Sequence, residues 1–317
     1  MKDFAGSLTI KLLLLLVIIF GSCKTSQQSQ LQKSEVSTAK TETALLWRIE
    51  GEDIKSSYLF GTIHMIDKDE YFFTEEMESA LLETEGLALE IDLENAMDLG
   101  SQMGLLQKAF MRNDTTLQDL LTQEEYTLVK AHFEDMGIPF FLFERVKPMF
   151  LTIFASEDMF SGGGLNMDDV KSYELELIEK AKAQDKAVTG LETVDYQMSI
   201  FDSIPYGAQA DMLVTSIASE AEEEGVMDTL IYYYKKQDLI KLDQLLNSDP
   251  TTRQYRSVLL DNRNRNWIPI MQRQMAEKRM FFAVGAGHLS GEFGVIKLLQ
   301  DQGYKLSPIR VKILWDG

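Results

Sequence analysis

The sequence predicts an α/β fold, with α+β as the alternative: strands from both ends of the chain form a central sheet, and a largely helical middle section covers it. Three observations carry this. Short apolar, β-prone runs bounded by turn residues cluster between residues 44 and 91 and return between 280 and 314. Between these clusters, apolar residues recur at three- and four-residue spacing over long stretches. The composition, 45% hydrophobic and 26% charged over 317 residues, suits a chain that buries a sizeable core.

Taken in order, Ala44–Ile49 and Ser57–Gly61 flank the turn-like Glu50-Gly51-Glu52-Asp53 and predict a hairpin or two adjacent strands. Thr74 is placed to cap a helix with Met77, Leu81 and Leu82 on its inner face. Gly86–Ile91 is then a buried strand. Strand, helix and strand form a βαβ-like unit that would set Gly86–Ile91 beside Ser57–Gly61. Helices follow over Leu117–Phe133 and Phe140–Phe160, with a break at Gly162-Gly163-Gly164. A helix over Asp169–Ala183, with Val170, Tyr173, Leu177 and Ile178 inward, leads into a strand at Ala187–Leu191. Thr193–Ser203, Pro205–Ser219, Gly225–Gln237 and Gln254–Ala276 read as helices. The chain closes with a strand at Met280–Val284, a helix at Gly294–Gln302 and a strand at Lys305–Leu314. No solenoid-type repeat is present.

The N-terminal region has a different character. Residues Leu12–Phe20 are continuously apolar, follow Lys2 and Lys11, and end in Gly21-Ser22-Cys23. A bilayer-spanning helix needs about twenty apolar residues, so this run predicts the core of a signal peptide over residues 1–22. The small-small-Cys ending resembles a bacterial lipobox, with Phe20 where leucine is usual. The resemblance implies that Cys23 becomes the new N-terminus and carries a lipid. Cys23 is the single cysteine, so no internal disulfide can form. Residues 23–43 are polar, lack aromatics and read as a flexible tether, leaving residues 44–317 as the folded domain. The expected location is the cell envelope, anchored in a membrane through Cys23. The formal net charge of −19 argues against nucleic acid as a partner and against charge-driven docking on anionic lipid.

Two of the three histidines share one frame. Tyr58-Leu-Phe-Gly-Thr-Ile-His64 and Phe282-Ala-Val-Gly-Ala-Gly-His288 are each an apolar strand, a glycine, two residues and a histidine. Ligands of open α/β sheets bind beyond the carboxyl ends of strands, where both imidazoles are expected. The glycines would allow a sharp turn there. His132 lacks this context and reads as structural or surface-facing. Glu90 lies in an apolar run, where a buried charge needs a partner such as an imidazole or a metal. Glu192 ends another strand. Asp92 reads as a cap for the element after it. Arg263 and Arg265 sit in the Arg- and Asn-rich stretch Asp261–Trp267, and Arg265 reads as part of a solvated face.

Together, Gly61-Thr-Ile-His64, Ala88-Leu-Glu-Ile-Asp92, Gly190-Leu-Glu-Thr-Val-Asp-Tyr-Gln197, Arg263-Asn-Arg-Asn-Trp267, Val284-Gly-Ala-Gly-His-Leu-Ser-Gly291 and Gly294-Val-Ile-Lys-Leu-Leu resemble, in content and order, the TraB/GumN/PrgY family. The resemblance runs over roughly residues 44–314. It implies kinship with the Tiki proteins, described as metal-dependent proteases, and more distantly with the erythromycin esterase and ChaN-like group. It also implies that His64, Glu90, Glu192, Arg263 and His288 fall at the active-centre positions, with Asp168 a weaker match.

The leading expectation is metal-assisted hydrolysis of a peptide or amide bond. A divalent ion would be held by His64, His288 and Glu90, with Glu192 as general base and Arg263 on a substrate carboxylate or oxyanion. The alternatives are metal-free, esterase-like hydrolysis by an imidazole oriented by Glu90, or a non-catalytic protein that sequesters a peptide or small ligand at the cell envelope.

Overall fold

The computed structural model describes residues 43–92, 107–154, 170–219, 224–248 and 250–313. The stretch expected to be a signal peptide, Cys23 and nearly all of the expected tether lie outside the described residues, as do the glycine run, Asp168 and the element that Asp92 would cap.

The fold is mixed α/β, built on a six-stranded sheet of order β6-β4-β7-β2-β1-β8. Its strands are β1 (Leu46–Glu50), β2 (Ser57–Thr62), β4 (Gly86–Ile91), β6 (Ala187–Glu192), β7 (Met280–Gly285) and β8 (Lys305–Ile309). The hairpin β1–β2 is antiparallel, and β8 adds to β1 antiparallel, so the two ends of the chain close one sheet. The other neighbours, β2–β7, β7–β4 and β4–β6, are parallel. Every residue of β2, β4 and β7 is buried, the pattern of parallel strands covered on both faces.

The βαβ expectation holds only in split form. Helix α1 (Glu75–Leu82) does connect β2 to β4, but β7 lies between them in the sheet. Glu90 is therefore on the strand next to that of His288, and the strand of His64 is one further away. In α1, Met77, Ala80 and Leu81 face the core, whereas Leu82, expected to point inward, is 59% exposed. Thr74 occupies the cap position without a side-chain cap bond.

The middle section is broken into shorter helices than its periodicity predicts. Leu117–Phe133 becomes α2 (Leu117–Leu120) and α3 (Gln123–Asp135). They are separated because Thr116 and Thr122 each start a capping box, with Asp119 and Glu125 answering three residues later. Within the expected Phe140–Phe160 helix, Phe140–Leu142 is a 3-10 turn and α4 covers Pro148–Phe154. Val170–Ser172 is not helical. It forms β5, which pairs antiparallel with β3 (Met65–Asp67), and α5 (Tyr173–Ala183) begins only after the Ser172 cap.

Helices α6 (Val194–Phe201), α7 (Tyr206–Ser219), α8 (Glu224–Lys235), α9 (Leu239–Leu246) and α10 (Pro250–Arg256) follow. The expected helix Gln254–Ala276 is interrupted by a π-turn at Ser257–Asp261 and resumes as α11 (Asn262–Glu277); α12 is Val295–Asp301. The main core wraps the sheet. A second apolar cluster, built on Leu117, Val129, Phe133, Phe140, Leu151 and Leu213, holds α2, α3, α4 and α7 together. Among the described residues no helix is long and apolar enough to cross a membrane.

Candidate active site

Four parallel strands bring their carboxyl ends to one edge of the sheet, and these ends carry Thr62, Glu90, Glu192 and Gly285. His64 and His288 follow β2 and β7 directly, and Arg263 reaches in from α11. The five side chains singled out from the sequence thus form one buried cluster. His64 Nε2 lies 3.8 Å and His288 Nε2 3.7 Å from the same oxygen, Glu90 Oε1.

The two histidines arrive by different backbones. His64 has φ +60°, the left-handed region that a non-glycine residue rarely enters, and Met65 N–H bonds back to Ile63 O at 2.7 Å. His288 ends a 3-10 turn, Ala286–His288. The glycines of the shared frame do not make the turns; they make room. A Cβ on Gly285 would sit 2.7 Å from His64 Nε2 and 3.3 Å from Glu90 Oε1. A Cβ on Gly61 would meet Leu289 Cδ1 at 2.6 Å and the backbone of Ala286 at 3.1 Å.

Each imidazole is tied at Nδ1. Asn264 donates through Nδ2 to the carbonyls of His288 and Phe293, at 3.3 and 2.8 Å, so its Oδ1 is the acceptor 2.6 Å from His288 Nδ1. That assigns the proton of His288 to Nδ1 and a lone pair to Nε2. His64 Nδ1 lies 2.6 Å from Glu174 Oε1. Trp267 packs on the His288 ring with centroids 4.5 Å apart.

Arg263 uses all five of its N–H groups. Nε donates to Glu192, Nη2 to Glu90 Oε2 at 2.5 Å and to Glu192 Oε1 at 2.7 Å, and Nη1 to Leu259 O and to His288 Nε2, both at 3.1 Å. The Leu259 carbonyl lies in the π-turn that precedes α11, four residues before Arg263. Glu192 also accepts from Trp267 Nε1 at 2.9 Å. The expectation of Arg263 as a hand for a substrate carboxylate therefore meets a guanidinium with no donor to spare. Arg265 is exposed and lies over Phe293, while His132 on α3 is half-buried against Phe133.

Electrostatics follow from this packing. Burial opposes the charge on Glu90, but Arg263, the two imidazoles and the Gly285 N–H outweigh it and hold the carboxyl at about 2. Burial pushes His288 down to about 3, against the pull of Glu90. Burial also disfavours charge on His64, yet Glu174 reverses the balance and raises it. Burial moves Glu192 upward despite Arg263.

These shifts set an acid response. His288 ordinarily titrates near 6.5 and Glu90 near 4.5, so in both cases the unfolded chain binds protons more readily than the folded one. The stability that His288 contributes is complete above about 6.5 and lost as pH falls toward 3; that of Glu90 is complete above 4.5 and lost toward 2. His64, shifted upward, contributes in the opposite sense, with stability lost as pH rises through its folded value. In chelator-treated protein, the unfolding midpoint should fall on acidification from pH 6.5 to 4, and His288→Gln should flatten that fall. An equally steep fall in the variant would remove His288 from the account.

Glu174, Asn264, Thr62 and Trp267 were not singled out from the sequence. The helix predicted over Asp169–Ala183 hid Glu174, because a carboxylate in the first turn of a helix has a routine explanation. A usable signal for Asn264 was its place next to Arg263 on a helix one turn before Trp267.

Two zebrafish (Danio rerio) proteins, Metalloprotease TIKI1 and Metalloprotease TIKI2, are each 23% identical to the chain. The alignments cover 88% of the chain and 67% of the first relative, and 90% of the chain and 65% of the second. The chain thus spans about two thirds of the length of these curated relatives. No solved structure matches. The profile of the TraB/PrgY/gumN family matches residues 45–308, a stretch that contains both Gly-x-x-His turns, Glu90, Glu192 and Arg263, and the chain belongs to that family.

Proposed function

We propose that the chain is a hydrolase acting on a peptide or amide bond, with a divalent metal held by His64 Nε2, His288 Nε2 and Glu90 Oε1. The observation that carries this reading is the convergence of two imidazole nitrogens on one carboxylate oxygen, each ring tied through its other nitrogen. Histidine ligands of metals have this second contact as a rule. Two ligand atoms on one tetrahedral ion lie about 3.4 Å apart, given bonds of about 2.1 Å. The observed 3.7 and 3.8 Å are a few tenths wider. Among the described residues no group of three or more His, Cys, Asp or Glu is placed to hold a metal ion as the side chains stand. The donor chemistry fits the ion; the contraction would come with binding.

A bound divalent ion would polarise the scissile carbonyl and lower the pKa of an attacking water. The chain's own residues supply the rest. Asn264 keeps the His288 lone pair on Nε2. Arg263 holds Glu90 as a carboxylate and spreads positive charge beneath the site. Glu192, bound through both oxygens to Arg263 and through one to Trp267, fits the role of anchor for Arg263 better than that of the general base; it could take a proton only after release from those donors.

A second reading rests on one contact. Arg263 Nη1 already occupies the His288 Nε2 lone pair at 3.1 Å. In a metal-free hydrolase that contact would persist, and His64 would take the proton of the attacking water. Metal content of purified protein separates the two, measured alongside hydrolysis of a mixed peptide pool with and without chelator. Near one divalent ion per chain, with activity lost to chelator and restored by metal, supports the first reading. Activity indifferent to chelator in metal-free protein sinks it in favour of the second. A folded protein that hydrolyses nothing but retains a peptide or small ligand would favour sequestration instead.

For location, the proposal is a cell-envelope lipoprotein tethered through Cys23. Covalent lipid supplies the membrane affinity in that arrangement, so Cys23→Ala should release the protein to the soluble fraction or leave it unprocessed. Unchanged membrane association would refute the lipid tether.

A further inference from the structure

The His64 side chain is held from a part of the chain far from its own motif. Glu174 stands in the first turn of α5, 110 residues away in sequence. Its Oε1 lies 2.6 Å from His64 Nδ1 and accepts from Thr62 Oγ1 at 3.0 Å; its Oε2 accepts from Ser172 Oγ at 3.2 Å. A carboxylate has no hydrogen to give, so the imidazole nitrogen facing it must be the protonated one. In the neutral ring Nε2 then carries the lone pair, on the side that looks toward Glu90 Oε1.

The same segment braces the backbone. His64 takes the left-handed φ of +60° while buried, a conformation that persists in a non-glycine residue only where surrounding contacts impose it. Tyr173 N–H donates to His64 O at 2.9 Å, and β3 pairs with β5 through Met65 and Ser172. Tyr234 O–H adds a bond to Gly61 O at 3.0 Å. The sequence from Val170 to Glu174 therefore grips His64 at its carbonyl, at the residue after it and at its ring.

We propose that Glu174 is a positioning residue, which fixes His64 in the Nδ1–H tautomer and aims Nε2 at the Glu90 oxygen. His288 gets the equivalent service from a neutral group, Asn264. The two rings are thus oriented by chemically different partners, one an acid and one an amide. The proposal deepens the hydrolase reading and serves either form of it, since a metal ligand and a general base both need the lone pair on Nε2.

The test reads the tautomer directly. Long-range proton–nitrogen NMR correlations on the purified full chain, nitrogen-labelled at histidine and held in detergent, report which ring nitrogen bears hydrogen. The chain has three histidines, so His132→Gln and His288→Gln assign the spectrum by subtraction. With the pH set high enough that the His64 ring is neutral, the expected result is Nδ1–H with a bare Nε2 at both His64 and His288. In Glu174→Ala, His64 should shift to a mixture rich in the Nε2–H form while His288 stays as it was. Glu174→Gln, close in shape, should weaken the preference without changing His288. Nε2–H at His64 in the unaltered protein overturns the proposal without any variant needing to fold. So does a His64 pattern that Glu174→Ala leaves unmoved.

Zinc affinity gives a second readout, with a loss of about 10–100-fold expected in Glu174→Ala, the usual effect of removing such a partner. If the tautomer pattern holds but the unaltered protein binds no metal and hydrolyses nothing, the hydrolase reading fails and the positioning role stands. If the protein is an active hydrolase with the opposite tautomer, the reverse is concluded.

Discussion

Arg263→Ala is expected to lower the unfolding free energy by about 3–5 kcal/mol, the cost of leaving buried charges without their partner. Two carboxylates, Glu90 and Glu192, are buried against this one guanidinium, and five of its hydrogen bonds end on four different residues. For a domain of this size that loss corresponds to a fall in melting temperature of roughly 10 °C. Arg263→Lys should recover only part of it, because an ammonium keeps the charge but cannot form the planar fork. Calorimetry of the two variants beside the unaltered protein decides the matter. A fall of less than about 2 °C in Arg263→Ala would mean that the two carboxylates are satisfied some other way.

Gly285→Ala is expected to abolish the site while leaving most of the fold. The added methyl would sit 2.7 Å from His64 Nε2, on the side facing Glu90. His64 cannot simply swing away, since its ring is tied to Glu174 and its backbone to Tyr173. We expect hydrolysis to fall by about 10²-fold or more, the usual consequence of displacing a reacting group by about 1 Å. Bound metal should fall in parallel. The stability loss should stay at about 1–3 kcal/mol, as for other overpacked interiors. Full activity and full metal content in the variant would show that the reaction does not use the space between the imidazoles. Gly61→Ala is the informative companion: its methyl would press on the turn that carries His288 rather than on a ring nitrogen.

Much of this protein was legible in its sequence, and the reasons are particular. The strands β2, β4 and β7 are short, mostly apolar runs bounded by turn residues, a pattern that marks buried strands. The frame shared by His64 and His288 placed both imidazoles at strand ends before any geometry was available. Glu90 stood out as a charge inside an apolar strand. The failures are equally specific. The spacing of Val170 to Tyr173 and Leu177 assigns it to the helix, but the β-branched residue suits a strand, and a partner from elsewhere in the chain, β3, satisfies the backbone there. Leu82 was placed on the inner face by spacing alone, and the helix ends before that face closes over it. The glycines were credited with sharp turns, whereas their use is to admit His64 Nε2 and the Ala286 turn at close range.

What the sequence by itself determined was the six strands of the main sheet and most of the helical stretches, the closing of that sheet by the two ends of the chain, and the polar side chains at its strand ends. Periodicity and local composition act over a few residues, so they suffice for that. Only the tertiary structure decided the strand order, which inserts the strand of His288 between those of His64 and Glu90 and brings Glu90 Oε1 within 3.8 and 3.7 Å of the two imidazoles. Only it decided that Arg263 spends every donor inside the site and that Glu174, 110 residues from His64, grips the ring. Those outcomes depend on which distant segments meet, and a hydrogen bond between them leaves no periodic trace in either one.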